Sequence, residues 1–178
     1  MLGFFCCAIG GGKIGFETGE ILEPMRNSKR RVILTTARKR ETLEWSREMA
    51  IFGLSEWSEG VCDVTVDSWN NIKKYETVKG AFFILDEQRL VGSGAWVKTF
   101  YKIAKANQWI LLSATPGDTW LDYAPVFIAN GFYANITEFR AQHVIYKRFR
   151  NYPQVDRYVG VKHLEALRKK LLVDIPFE

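Results

Sequence analysis

Three short stretches hold residues whose types and spacing could do chemistry on a polyphosphate. In "CCAIGGGKIGFETGEIL", Gly10, Gly11 and Gly12 leave room for backbone N–H groups to close around phosphate oxygens. Lys13 would reach the terminal phosphates, and a helix starting there would add the positive end of its dipole. In "FFILDEQRLVGSG", Asp86 and Glu87 follow an apolar run. One carboxylate could hold a magnesium ion, directly or through water, while its neighbour polarises an attacking water. In "WILLSATPG", Ser113 and Thr115 supply small hydroxyls able to bridge the acidic pair to a moving neighbour. Taken singly, each stretch also reads as an ordinary turn or a solvated strand end. Their order, each after its own apolar run, sets them apart.

The elements that must position these residues are legible from periodicity. "FFCCAI" reads as a first strand, followed by the glycine loop and a helix over roughly Lys13 to Glu23 that Pro24 stops. "RVILTT" is a second strand, and "RETLEWSREMAIFGL" predicts one helix with Leu43, Met49 and Phe52 near a common face. "CDVTVDSW" is a third strand whose Asp67 or Ser68 can cap the next helix. "GAFFILDE" is almost wholly apolar, as expected of a strand covered on both faces. "AWVKTFYKIAKAN" keeps Trp96 or Val97, Phe100, Ile103 and Ala104 on one helical face before the fifth strand, "QWILLSAT". This alternation predicts an α/β fold with a mainly parallel sheet and helices on both faces. In such sheets ligands bind beyond the C-terminal ends of the strands, where the acidic and hydroxyl stretches fall.

Composition sets the outer bounds. A chain of 178 residues with 47% apolar and 25% charged side chains suits a globular protein with one sizeable core. Its apolar runs are too short to span a bilayer, so no membrane role is expected. "MLGFFCCAIG" lacks the basic start of a signal peptide and reads as a buried strand. Cys6, Cys7 and Cys62 have no metal-ligand spacing and read as core thiols in a reducing compartment. His143 and His163 have no ligand-like grouping and receive no role. The net charge of +5 is unevenly spread: residues 26–40 hold seven Lys/Arg and no acid, and residues 138–170 hold nine against three acids. Such concentration suits a polyanion or a solvated surface alike.

Together, "GGGKI", "ILDEQR" and "LLSATP" resemble motifs I, II and III of the superfamily-two helicases and translocases. "VILTTARKRETLEW" is similar to their motif Ia and "VTVDSWNNI" to motif Ib. The match looks closest to Swi/Snf-like helicases of tailed bacteriophages, through "DEQRLVGSGAW", "LLSATPGDTWLDY" and "NYPQVDRY". The resemblance implies a P-loop, RecA-like first lobe of a two-lobe motor that uses ATP and Mg2+ on DNA. Lys13 would then bind phosphates with Gly10, Gly11 and Gly12, Asp86 would handle magnesium and Glu87 would orient water. Gln88 would extend the nucleotide site, and Ser113 and Thr115 would couple it to DNA. Thr36, Ala37, Arg38, Ser68 and Trp69 would contact the nucleic-acid backbone, although Trp69 also suits a core position. The cytoplasm, that of the host cell for a phage protein, is the location implied.

Two departures qualify the resemblance. Ile14 stands where a Ser or Thr would ligate magnesium, and Cys7 replaces a small residue at the start of motif I. A second RecA-like lobe, the source of an arginine finger, is the other partner implied. The division expected is a lobe over residues 1–137 and, over 138–178, a basic linker and helix leading towards an absent second lobe. "EFRAQHVIYKRFRNYPQVDRYVG" reads as irregular, "KHLEALRKKLL" as an amphipathic helix and "VDIPFE" as a strand-like start. Two functions follow: the ATP-binding lobe of a DNA motor, or a non-catalytic DNA- or partner-binding module whose phosphate loop is degenerate at Ile14.

Overall fold

A computed structural model describes residues 4–7, 28, 30–51, 57–58, 62–86, 90–113, 117–149 and 152–174. The glycine loop, the helix expected after it, and Glu87 to Arg89 lie outside the described residues. Five apolar runs form the expected strands: β1 (Phe4–Cys7), β2 (Arg30–Thr35), β4 (Cys62–Ser68), β5 (Phe82–Asp86) and β6 (Gln108–Leu112). A short β3 (Trp57–Ser58) and a late β9 (Leu172–Asp174) complete a seven-stranded sheet in the order β3-β4-β2-β5-β6-β1-β9. Every pairing is parallel except β3 with β4. The fold class is therefore α/β with a mainly parallel sheet.

Register explains why β5 is apolar throughout. Val32, Phe83 and Trp109 align across β2, β5 and β6, as do Leu34, Leu85 and Leu111. These six side chains form one face and belong to the main core. Ile33, Ile84 and Ile110 align on the opposite face and are equally buried, so neither face of the central strands meets water.

On the first face lie α3 (Ala95–Ala106), α4 (Trp120–Ala129), α5 (Ile136–His143) and α6 (Val161–Leu171). Val97, Phe100, Ile103 and Ala104 of α3 are buried as their spacing predicts, with Phe100 edge-on to Trp109 at 4.9 Å. A 3-10 helix, Trp69–Tyr75, follows β4, and the Ser68 hydroxyl caps it by accepting from Asn70 N. Its three residues per turn place Trp69, Ile72 and Tyr75 in one buried row, which accounts for the tighter coil. The α4 start is held by Thr119 and Asp122, whose carboxylate accepts from Asp118 N and Thr119 N.

Two expectations are corrected. The segment after β2 is not one helix but α1 (Ala37–Glu41) and α2 (Glu44–Ile51). The Thr42 hydroxyl takes the carbonyls of Arg38 and Lys39, and Leu43 adopts a left-handed φ of 57°, so α1 ends there. Leu43 is consequently 56% exposed instead of lying on a core face. The stretch after α5 is not irregular: it forms an antiparallel hairpin of β7 (Val144–Phe149) and β8 (Tyr152–Tyr158). Leu164, Leu167 and Leu171 of α6 then enter the same core as α3 and α4, and β9 pairs with β1. Among the described residues, no helix is long and apolar enough to cross a membrane.

One buried amide joins three of these elements. Asn107 accepts from Ala81 N at 2.9 Å and donates to Val78 O and Ile103 O at 2.7 and 2.9 Å. It thereby fixes the end of α3 to the entry of β5. Asn107→Ala should destabilise the fold by about 1–3 kcal/mol for each group left without a partner, read from denaturant unfolding. A loss under about 0.5 kcal/mol would show that water replaces the amide.

Candidate functional site

The parallel register brings the ends of four strands to one edge. Ser68 is paired with Thr35, and Thr35 lies one step beyond the Leu34–Leu85 pair, beside Asp86. Asp86 is paired with Leu112, and Ser113 follows it. Ser68, Thr35, Asp86 and Ser113 are all buried at this C-terminal edge. Such an edge is where parallel α/β sheets carry their ligands.

Asp86 is the centre of the row. Its carboxylate is 5% exposed by residue, and Oδ2 receives three donors: Thr35 Oγ1 at 2.8 Å, Trp45 Nε1 at 2.8 Å and Lys39 Nζ at 3.3 Å. Burial of a carboxylate is costly unless it is paired and hydrogen-bonded, and here both conditions are met. The Asp86 carbonyl accepts from Trp69 Nε1 at 2.8 Å. The ring of Trp69 is 1% exposed and stacks on Trp96 at 6.0 Å, so its core reading is the one the structure gives. Its indole N–H acts as a strut under the end of β5.

The neighbouring Asp67 has a different task. It accepts from Ser68 N at 2.7 Å, Asn71 Nδ2 at 2.7 Å and Tyr75 Oη at 2.9 Å, with Arg40 Nε at 3.5 Å and Lys74 Nζ at 3.8 Å. Burial pushes its carboxyl up, but the bonds from Asn71, Ser68 and Tyr75 and the Lys74 charge outweigh it and hold it below the ordinary range. Burial, reinforced by the bond to Asp67, pushes the Tyr75 phenol well above its ordinary value. Asp67 thus fastens the turn from β4 into the 3-10 helix.

The other sequence-predicted residues divide by position. Thr36 caps α1, its hydroxyl accepting from Lys39 N at 3.3 Å, and Ala37 and Arg38 are exposed on the first turn of that helix. Ser68 is buried at its cap. Gly10, Gly11, Gly12, Lys13, Glu87, Gln88 and Thr115 lie outside the described residues, as does Ile14. Residue spacing did not reveal Thr35, Lys39 or Trp45. Thr35 had a usable signal, a hydroxyl at the end of a parallel strand. Lys39 reaches Asp86 from the short helix α1 that starts directly after β2, and Trp45 from α2, beyond the turn at Thr42 and Leu43.

Chemically, the edge offers two hard oxygens, Asp86 Oδ2 and Thr35 Oγ1, and one ammonium from Lys39. Among the described residues, no group of three or more His, Cys, Asp or Glu side chains could cage a metal. A magnesium ion needs less, since it keeps several waters and takes one or two carboxylates plus phosphate oxygens. A half-open pocket of about 250 Å³ adjoins the cluster, lined by Lys39, Arg40, Trp45 and Ser46 among others. No family model matches this chain, and no curated protein matches it significantly.

Asp67 provides a pH test of this edge. Its folded pKa is depressed, so its contribution is complete above the unfolded carboxylate value of about 3.9 and fades as pH falls through the lower folded value. The stability gap between the native chain and Asp67→Asn should therefore be widest near neutrality and narrow below about pH 4, in urea titrations at each pH. A gap constant with pH would contradict this assignment.

Proposed function

We propose that this chain is the ATP-binding, RecA-like lobe of a DNA helicase or translocase of the superfamily-two, Swi/Snf-like kind. The observation that carries the reading is Asp86: a buried carboxylate at the C-terminal end of a central parallel strand, with a threonine hydroxyl 2.8 Å away. Strand order adds support. β6 separates β1 from β5, and all three run parallel, so the C-terminal ends of β1 and β5 lie at the same sheet edge. The segment after β1 contains Gly10 to Lys13.

The residues at this edge suit magnesium. Asp86, directly or through water, and the Thr35 hydroxyl would hold it, with Lys13 and the three glycines on the phosphates. The ion would neutralise charge developing on the β- and γ-phosphate oxygens during hydrolysis. Glu87, next in the chain, would orient the water. Lys39 already places a positive charge at Asp86 Oδ2 and would have to yield that position or turn to a phosphate oxygen. On the same reading, Thr36, Ala37 and Arg38 at the start of α1 and Ser68 at the end of β4 would meet DNA. Contacts of this type hold the phosphate backbone and give affinity without sequence readout.

A second reading is a non-catalytic DNA- or partner-binding module. It draws on Ile14, which cannot ligate a metal, and on the Lys39 ammonium that supplies Asp86 with a cation of its own. Equilibrium binding of a fluorescent ATP analogue, with magnesium or with EDTA, separates the two. The motor reading expects saturable binding that magnesium strengthens, and a further gain in Ile14→Thr, where the missing hydroxyl is restored. Binding absent in both proteins, or indifferent to magnesium in both, would favour the module.

A further inference from the structure

The β7–β8 hairpin has no part in the nucleotide site, yet it is firmly built. Isolated two-stranded hairpins are marginal in water, so this one depends on its base. Val144 is buried, and Val155 and Tyr158 pack against the main core. Val159 N donates to His143 O at 2.9 Å. The His143 ring lies 2.9 Å from Val159 O through Nδ1 and 2.7 Å from the Tyr133 hydroxyl through Nε2. Only a protonated Nδ1 can pair with that carbonyl, so in the neutral ring Nε2 accepts the Tyr133 proton. Gly160 closes the base at φ +67°, where an added Cβ would meet His143 Nδ1 at 3.1 Å.

Beyond this anchor the hairpin presents aromatic and cationic side chains to solvent. Tyr152 is 76% exposed, and Tyr146 is also exposed. Residues 144–158 hold four Lys/Arg, at 147, 148, 150 and 157, against one acid, Asp156. Asp156 pairs with Lys147 at 3.5 Å and with Arg157 at 3.1 Å. Exposed pairs of this kind contribute little and give way readily to a stronger anion. Register places Lys147, Gln154 and Tyr152 on one face of the ribbon, and Tyr146 and Arg148 on the other.

We propose that this hairpin is a contact surface for single-stranded nucleic acid, with Tyr152 stacking on a base and Lys147 and Arg157, which register puts on the same face, holding phosphates. Cations interleaved with an exposed ring are what sequence-tolerant single-strand binding requires, and the ring can stack only on an unpaired base. The surface is formed by residues other than Thr36, Arg38 and Ser68. Its choice of partner rests on the nucleic-acid part of the motor reading; its geometry does not.

The test is fluorescence anisotropy of a labelled oligothymidylate with the full chain. Tyr152→Ala should weaken binding by on the order of tenfold, and Tyr152→Phe should preserve it. The double variant Lys147→Gln, Arg157→Gln should lower the slope of log K against log salt by about 1.4. These positions are exposed, and circular dichroism with thermal melting checks that the variants fold. Unchanged affinity in Tyr152→Ala, tighter binding of the wild type to a duplex of equal length, or no binding to either would each overturn the proposal. ATP-analogue binding by the same proteins keeps the two readings apart. Nucleotide binding without a hairpin effect would sink this inference alone. Hairpin-dependent oligonucleotide binding without nucleotide binding would sink the motor reading and leave this one standing.

Discussion

A carboxylate buried at the end of a parallel strand must find donors, and Asp86 organises much of the described structure by that need. Its Oδ2 draws a hydroxyl from β2, an ammonium from α1 and an indole from α2, while its carbonyl takes the indole of the 3-10 helix. Four neighbouring elements are thus tied to one residue. The arrangement is stable because Lys39 balances the charge and the two other donors satisfy the same oxygen. It also means that a ligand seeking Oδ2 competes with three existing bonds. Lys39 stands one residue after Arg38 in the short helix α1, so Asp86 is bonded to the helix whose first turn exposes Ala37 and Arg38.

Sequence made the frame legible where local pattern and burial agree. β5 was readable because both of its faces are covered, and α3 because Val97, Phe100, Ile103 and Ala104 recur at helical spacing. Asp86 was readable as a functional candidate because it ends an apolar strand in series with the glycine-lysine and Ser/Thr stretches; an acid at a strand end alone also serves structure, as Asp67 does. Ser68 was readable as a cap for the same kind of reason, a hydroxyl between a strand and a helix. What stayed hidden depended on geometry that periodicity does not encode. The helical pattern after β2 runs smoothly through Leu43, yet the Thr42 hydroxyl and a left-handed Leu43 break it. Trp45 reaches Asp86 from beyond that break.

The hairpin illustrates a second limit of pattern reading. "VIYKRFRNYPQVDRY" alternates weakly and carries a proline, so no face stands out from sequence alone. Its pairing is specified from outside, by Val144, Val155 and Tyr158 in the core and by His143 at the base. A histidine given no role from sequence is therefore a structural one: both ring nitrogens are engaged, and they join α5 to the end of β8. The basic charge of the same region is displayed on a ribbon held by the core, not spread along a loose connection.

The central claim is that Asp86, with Thr35 beside it, is the metal-nucleotide end of this sheet. Two-dimensional 1H–15N spectra of the full chain, titrated with ATP and substoichiometric Mn2+, test it most directly through paramagnetic broadening. The account predicts that the Trp45 indole N–H and the Thr35 amide broaden first, while the Gly80 and Gln108 amides, at the opposite end of the sheet, keep their intensity. A Trp45 indole that stays sharp while other resonances broaden, or no selective broadening at all, would contradict it.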